Sequence, residues 1–198
     1  MNNTDRLKYV TGHFHELQGL RWVILGILAL LSAAEDVGWI PMWIFVVIIL
    51  PLVLVILAAT VYIYRRAYGT VTRPAGLHGV YWTNMLGVLA IMVAFQADQL
   101  WEPALLLTPL GFAFWVLLRY SLRRQFRLHY LLIAIAVSVV DIAIVVARPP
   151  ASSLWAHSGF VTWGLIGSAL IAIGLIDHLL FVRTFRPLPT EPEPEYHV

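Results

Sequence analysis

The chain has 198 residues, of which 60% are hydrophobic and 12% charged, and its mean hydropathy is +0.80. Soluble domains carry about 25% charged residues, so this composition excludes a disordered chain, a coiled coil and an ordinary water-soluble enzyme, and it leaves a polytopic membrane protein. The net charge is +2 and there is no cysteine, which excludes disulfides, thiol redox chemistry, cysteine nucleophiles and thiolate metal sites.

In the first segment Leu7, Val10, Phe14 and Leu17 recur at helical spacing, with Arg6, Lys8, His13 and Glu16 on other faces. This pattern predicts an amphipathic helix over Thr4–Gln18, lying on the cytoplasmic membrane surface or packed as a cap on the bundle. Residues 1–19 form this cytoplasmic amino-terminal segment; the first 21 residues are too polar, and the apolar run begins too late, for a cleaved signal peptide, so the first span is expected to act as an uncleaved anchor. That span is the apolar run Leu20–Ala34, which carries the small-residue pair Ala29 and Ala33. The loop after it reads Asp36-Val-Gly-Trp39-Ile-Pro41. The second run, Trp39–Tyr64, is long enough to tilt, and Pro51 inside it predicts a kink because proline removes a backbone donor and crowds the preceding turn.

The third run, Val80–Ala97, follows His78 and leads into the loop Asp98-Gln-Leu-Trp101-Glu-Pro103. The fourth run is Pro103–Leu118, and a basic stretch with Arg119, Arg123, Arg124 and Arg127 separates it from the fifth, Leu128–Ala147. The first and fourth runs are short for a hydrocarbon layer of ~30 Å. The fifth has His129 at its start, Asp141 inside it and Arg148 just beyond. The sixth, Phe160–Val182, contains Gly164, Gly167, Ser168 and Gly174 and carries Asp177-His178 about one turn before its end. Residues 186–198 form a Pro- and Glu-rich tail with the composition of a disordered segment.

The expected fold is therefore an all-α integral membrane protein with six transmembrane helices across residues 20–185. Barrel strands would alternate lipid-facing and lumen-facing residues, and these runs are apolar all round. Each span takes ~20 residues, so six of them leave no room for a soluble catalytic or nucleic-acid-binding domain. Twelve of the 13 Lys and Arg fall on one side of this topology, and only Arg148 falls on the other. The positive-inside rule makes the rich side cytoplasmic, with both termini there, in the cell (inner) membrane.

Two loops share the pattern D-x-x-W-x-P at a separation of 62 residues, and Arg66-Ala-Tyr68, Arg124-Gln-Phe126 and Arg183-Thr-Phe185 recur at spacings of 58 and 59. These matches predict an internal repeat: three tandem helical hairpins around a pseudo-threefold axis. Convergence is the competing explanation, since topology alone calls for inner arginines and interfacial aromatics. In the loops, Asp suits a helix cap, Pro a first turn and Trp the headgroup level, which is a structural role for Asp36 and Asp98. The functional alternative is a ring of acids at an outer mouth that attracts cations.

Ionisable groups at membrane depth are functional candidates by default. Asp141 lies thirteen residues past Leu128, so ~20 Å from the inner end of its helix. A lone carboxylate there needs a proton or a partner; Arg148, two turns on, Ser138 and a facing helix are the structural choices. Asp177 and His178 point about 100° apart on one helix, so they suit an ion pair or relay better than a shared ligand. His78, His129 and His178 are the weaker candidates for bis-histidine haem ligation. No other cofactor and no metal site is expected, and there is no H-E-x-x-H, phosphate loop or nucleophile elbow to suggest an enzyme.

The leading functional expectation is a small transporter- or channel-like protein that binds or conducts a solute, cation or proton, with Asp141, Asp177, His178, Asp36 and Asp98 as candidate sites. The alternative is a non-catalytic membrane subunit that senses the bilayer or assembles with a partner or a second copy. A b-haem redox carrier is the third reading. The lipid bilayer is the expected partner throughout, and nucleic acid is not.

Overall fold

A computed structural model describes residues 19–68, 78–100, 106–121 and 128–184. The amphipathic segment Thr4–Gln18, the tail, Trp101 to Pro103 and the basic stretch Arg123–Arg127 lie outside the described residues. Among the described residues the chain forms six helices and no strand. We label them α1 (Leu20–Asp36), α2 (Met42–Tyr68), α3 (His78–Leu100), α4 (Leu107–Ser121), α5 (Leu128–Ala147) and α6 (Ser158–Thr184); a short 3-10 turn, Leu154–Ala156, precedes α6. Three stretches are long and apolar enough to cross a membrane: Met42–Ala67, Leu128–Ala147 and Ser158–Arg183.

Local chemistry sets the helix ends. Helix α1 stops in a Schellman motif: Trp39 N–H reaches Ala34 O at 2.9 Å and Gly38 N–H reaches Glu35 O at 2.9 Å. Gly38 supplies the left-handed residue this motif needs, with φ +78°. Helix α2 starts after Pro41, which is extended, and has a π-helical segment over Phe45–Ile49 before the α-helix Leu50–Tyr68. That segment precedes Pro51, whose ring would press on the carbonyl four residues back in a regular α-helix. The widened turn, with Leu50 N–H bonded to Phe45 O, gives the ring room, so proline is accommodated by a π-bulge within a continuous helix.

The most extensive helix pairing joins α1 to α6. Gly19 faces Gly174 and Gly26 faces Gly167, at a spacing of seven residues on each helix and antiparallel. A methyl group at Gly26 would sit 2.6 Å from Gly167 O, and one at Gly167 would sit 2.8 Å from Gly26 O. The two backbones are in direct contact, as small residues allow. Gly167 and Gly174 of the sixth run thus find their partner within this chain, while Gly164 faces open space. A second seam joins α3 to α4, where the Trp115 indole lies on Gly87 and Gly111 packs on Ala90 and Ala94.

Helices α4, α5 and α6 enclose the core, built from Phe112, Trp115, Val116, Tyr130, Ala134, Val137, Ile166, Leu170 and Ile173. Helix α2 is peripheral. Its buried residues, Val53, Thr60 and Tyr64, form one stripe, while most of its large apolar side chains are exposed. Helices α2 and α3 make no extensive contact, whereas α3 and α4 pack closely. Packing between helices that follow one another in the chain is therefore uneven among the described residues.

Contacts between helices show that neighbours in the chain alternate in direction. One end of the bundle gathers Leu20, Tyr64, Arg119, Tyr130 and His178; the other gathers Asp36 with Phe160 and Asp98 with Leu107. Arg65, Arg66, Arg119 and Arg183 all fall in last turns at the first end, which we call the basic end. The opposite end, with Glu35, Asp36 and Asp98, is the acid end.

Candidate functional site

On α5 the buried residues Tyr130, Ala134, Val137 and Asp141 recur every three or four positions, the spacing of a single helix face. Asp141 therefore occupies a core position by register, and it is 1% exposed. Its Oδ1 is buried and accepts no hydrogen bond. Neither neighbour considered from the sequence neutralises it. Ser138 Oγ donates to Ala134 O at 2.9 Å, and Arg148 is exposed, with no ion pair to Asp141 among the described residues.

Asp98 is fixed in place by geometry. Its Oδ1 accepts from Leu107 N–H at 2.7 Å, and its Oδ2 accepts from Thr108 N–H at 2.8 Å and Thr108 Oγ1 at 2.6 Å. These are orphan donors of the first turn of α4, where a negative charge is favoured. Asp36 does the same for α6, accepting from Phe160 N–H at 3.0 Å, with Gly159 packed against its carboxylate. Each loop aspartate thus caps a helix. Asp98 caps the next one in the chain, and Asp36 caps one 124 residues away.

Comparison with protein-family models, curated proteins and solved structures finds no match.

A second polar cluster lies at the basic end. Asp177 is 0% exposed; Tyr130 Oη–H donates to its Oδ2 at 2.7 Å, and His129 Nε2 lies 3.1 Å from its Oδ1. His178 faces the other way, with Nδ1 2.7 Å from Tyr64 Oη, which also lies 3.4 Å from Leu20 N. The adjacent pair thus links α6 to α5 on one side and to α2 and α1 on the other, as the 100° offset between neighbours requires. Of the three histidines considered for haem, His129 and His178 each engage one ring nitrogen with a side chain of a neighbouring helix. The side chain of His78 lies outside the described residues. Among the described residues no group of three His, Asp or Glu could hold a metal ion.

Arg119 is also buried here. Its guanidinium carbon lies 5.2 Å from the ring centres of both Trp22 and Trp115, a double cation–π contact inside the bundle. The sequence reading treated it as one more charge of a basic loop. It also missed Tyr64 and Tyr130, although a tyrosine hydroxyl in an apolar run needs a partner and so points to one.

The two clusters do not meet. Tyr130 and Asp141 are eleven residues apart on α5, or about 16 Å. Ala134, Val137, Val116, Ile166 and Leu170 fill the space around that stretch as a packed apolar core. Asp141 is therefore separated from the basic end by apolar side chains.

Proposed function

We propose that the chain is a six-span membrane protein, with the arginine-rich end and both termini cytoplasmic, that takes up and releases a proton at Asp141 as part of moving a small solute or ion. The unpartnered Oδ1 of Asp141 carries this reading. A carboxylate ion whose buried Oδ1 meets no donor is disfavoured, and a proton removes that penalty. A metal cation is a poorer fit, because hard cations want several oxygen ligands and Asp98 is committed to capping α4. The positive-inside distribution supports the orientation.

The test is proton flux into liposomes loaded with a pH-sensitive dye. The wild-type protein is expected to pass protons under an imposed gradient, and Asp141→Asn to pass them at background rate. Full flux in the variant overturns the reading. The peripheral position of α2 favours a second one, a subunit that assembles with a partner membrane protein. A stoichiometric partner retained through purification in mild detergent, together with no flux by the isolated chain, would establish that alternative.

A further inference from the structure

At the acid end, a half-enclosed cavity of about 450 Å³ opens between the start of α4, the last turn of α5 and the 3-10 turn before α6. Leu106, Ile144, Val145, Pro149 and Trp155 give it apolar walls, and Arg148 stands at its edge. This volume lies within the range of small-molecule sites, about 300–1,000 Å³. Three observations bear on what it would hold. Arg148 is the one basic residue on that side of the predicted topology. No carboxylate among the described residues pairs with it. Its backbone is in the left-handed region, with φ +46°, just before Pro149-Pro150. This is the cap that ends α5, closed by Arg148 N–H on Ile144 O at 3.2 Å, and it fixes where the side chain leaves the helix.

We propose that this cavity binds an anionic amphiphile, with a carboxylate or phosphate head on the Arg148 guanidinium and an apolar body against Ile144, Val145 and Trp155. Arginine suits both heads because its planar fork matches their oxygens in pairs. The depth also fits. Ile144 and Val145 belong to the last apolar turn of α5 and Arg148 to the residue just past it, so head and body fall on either side of the membrane interface. The site is independent of the proton reading, since Asp141 does not line the cavity.

The experiment is a binding titration of a dansyl-labelled fatty acid and of its methyl ester to the full chain in nanodiscs of neutral phospholipid. The acid is expected to bind more tightly than the ester. Arg148→Gln should weaken acid binding by about tenfold or more and leave the ester unchanged, the loss expected for one charge-assisted contact. Arg148→Lys should recover part of it. Ala151→Phe, which fills the cavity, should lower binding of both. Equal binding of acid and ester by the wild-type chain, or unchanged acid binding in Arg148→Gln, overturns the proposal. Repeating the titration in nanodiscs of anionic phospholipid identifies the source: competition assigns the site to a lipid headgroup, and undiminished probe binding to a free amphiphile, each in support of an anion site at Arg148.

Discussion

Asp177 and Asp141 are buried to the same degree, at 0% and 1% exposure, and the bundle treats them differently. At the basic end, the Tyr130 hydroxyl and the His129 ring converge on Asp177 and join α5 to α6. Toward the acid end, the same face of α5 presents Asp141 with nothing donating to Oδ1. Buried polar groups in folded proteins are nearly always satisfied, so the first acid has the arrangement that folding favours and the second works against it. The comparison teaches that burial alone does not separate a structural acid from a functional one, whereas the inventory of donors around each does.

The sharpest way to break this contrast is to remove the satisfied acid. Asp177→Ala leaves the Tyr130 hydroxyl and the His129 ring without their acceptor in the interior. It is expected to destabilise the chain by about 3 kcal/mol, measured as the shift in an unfolding transition in mixed micelles. A wild-type transition would mean that the basic-end contacts do not hold α5 to α6, and the distinction between the two acids would fall.

The next effect tests what keeps the basic end in place. The contacts of Asp177 and His178 depend on where α6 sits, and α6 is set by its backbone contact with α1. Gly26→Leu puts a side chain where even a methyl group would lie 2.6 Å from Gly167 O. No rotamer relieves a clash at Cβ, so the helices must part. The expected loss is about 2 kcal/mol, with faster amide exchange along α1 and α6 and little change in α3. Exchange that rises uniformly through the bundle would show that the seam is not a local determinant.

Much of this fold is written in local patterns. The run Leu128–Ala147 has the same limits as α5, and the other runs and their helices differ by a few residues at most ends, because apolar length and loop chemistry are properties of contiguous residues. The loop aspartates were legible as caps for the same reason. That Asp36 caps α6 was not, since it depends on how α1 and α6 pair. Glycines of the sixth run were visible as small residues, but Gly19 and Gly26 mattered only once register was fixed. Pro51 was legible as a disturbance of its helix, but the π-bulge that precedes it is a local remedy that sequence alone does not specify. The candidate site was legible in part. Asp141 stood out as a charge among apolar residues, but its missing donor is a fact of packing.

The smallest expected change in stability is at the unsatisfied acid. Asp141→Leu replaces a carboxyl by an apolar group of similar size on a face that already packs Val137 and Ala134. No donor is stranded, because none is bonded to Oδ1, and a desolvation penalty is removed. The unfolding transition is therefore expected to stay within about 0.5 kcal/mol of wild type or to move upward, in contrast to Asp177→Ala. Were Asp141→Leu to destabilise as much as Asp177→Ala, Asp141 would be a structural group with a partner of its own, and its retention would need no proton chemistry. An unchanged or raised transition means that folding does not need the acid, and the reason for a carboxylate at that position then lies in what it binds.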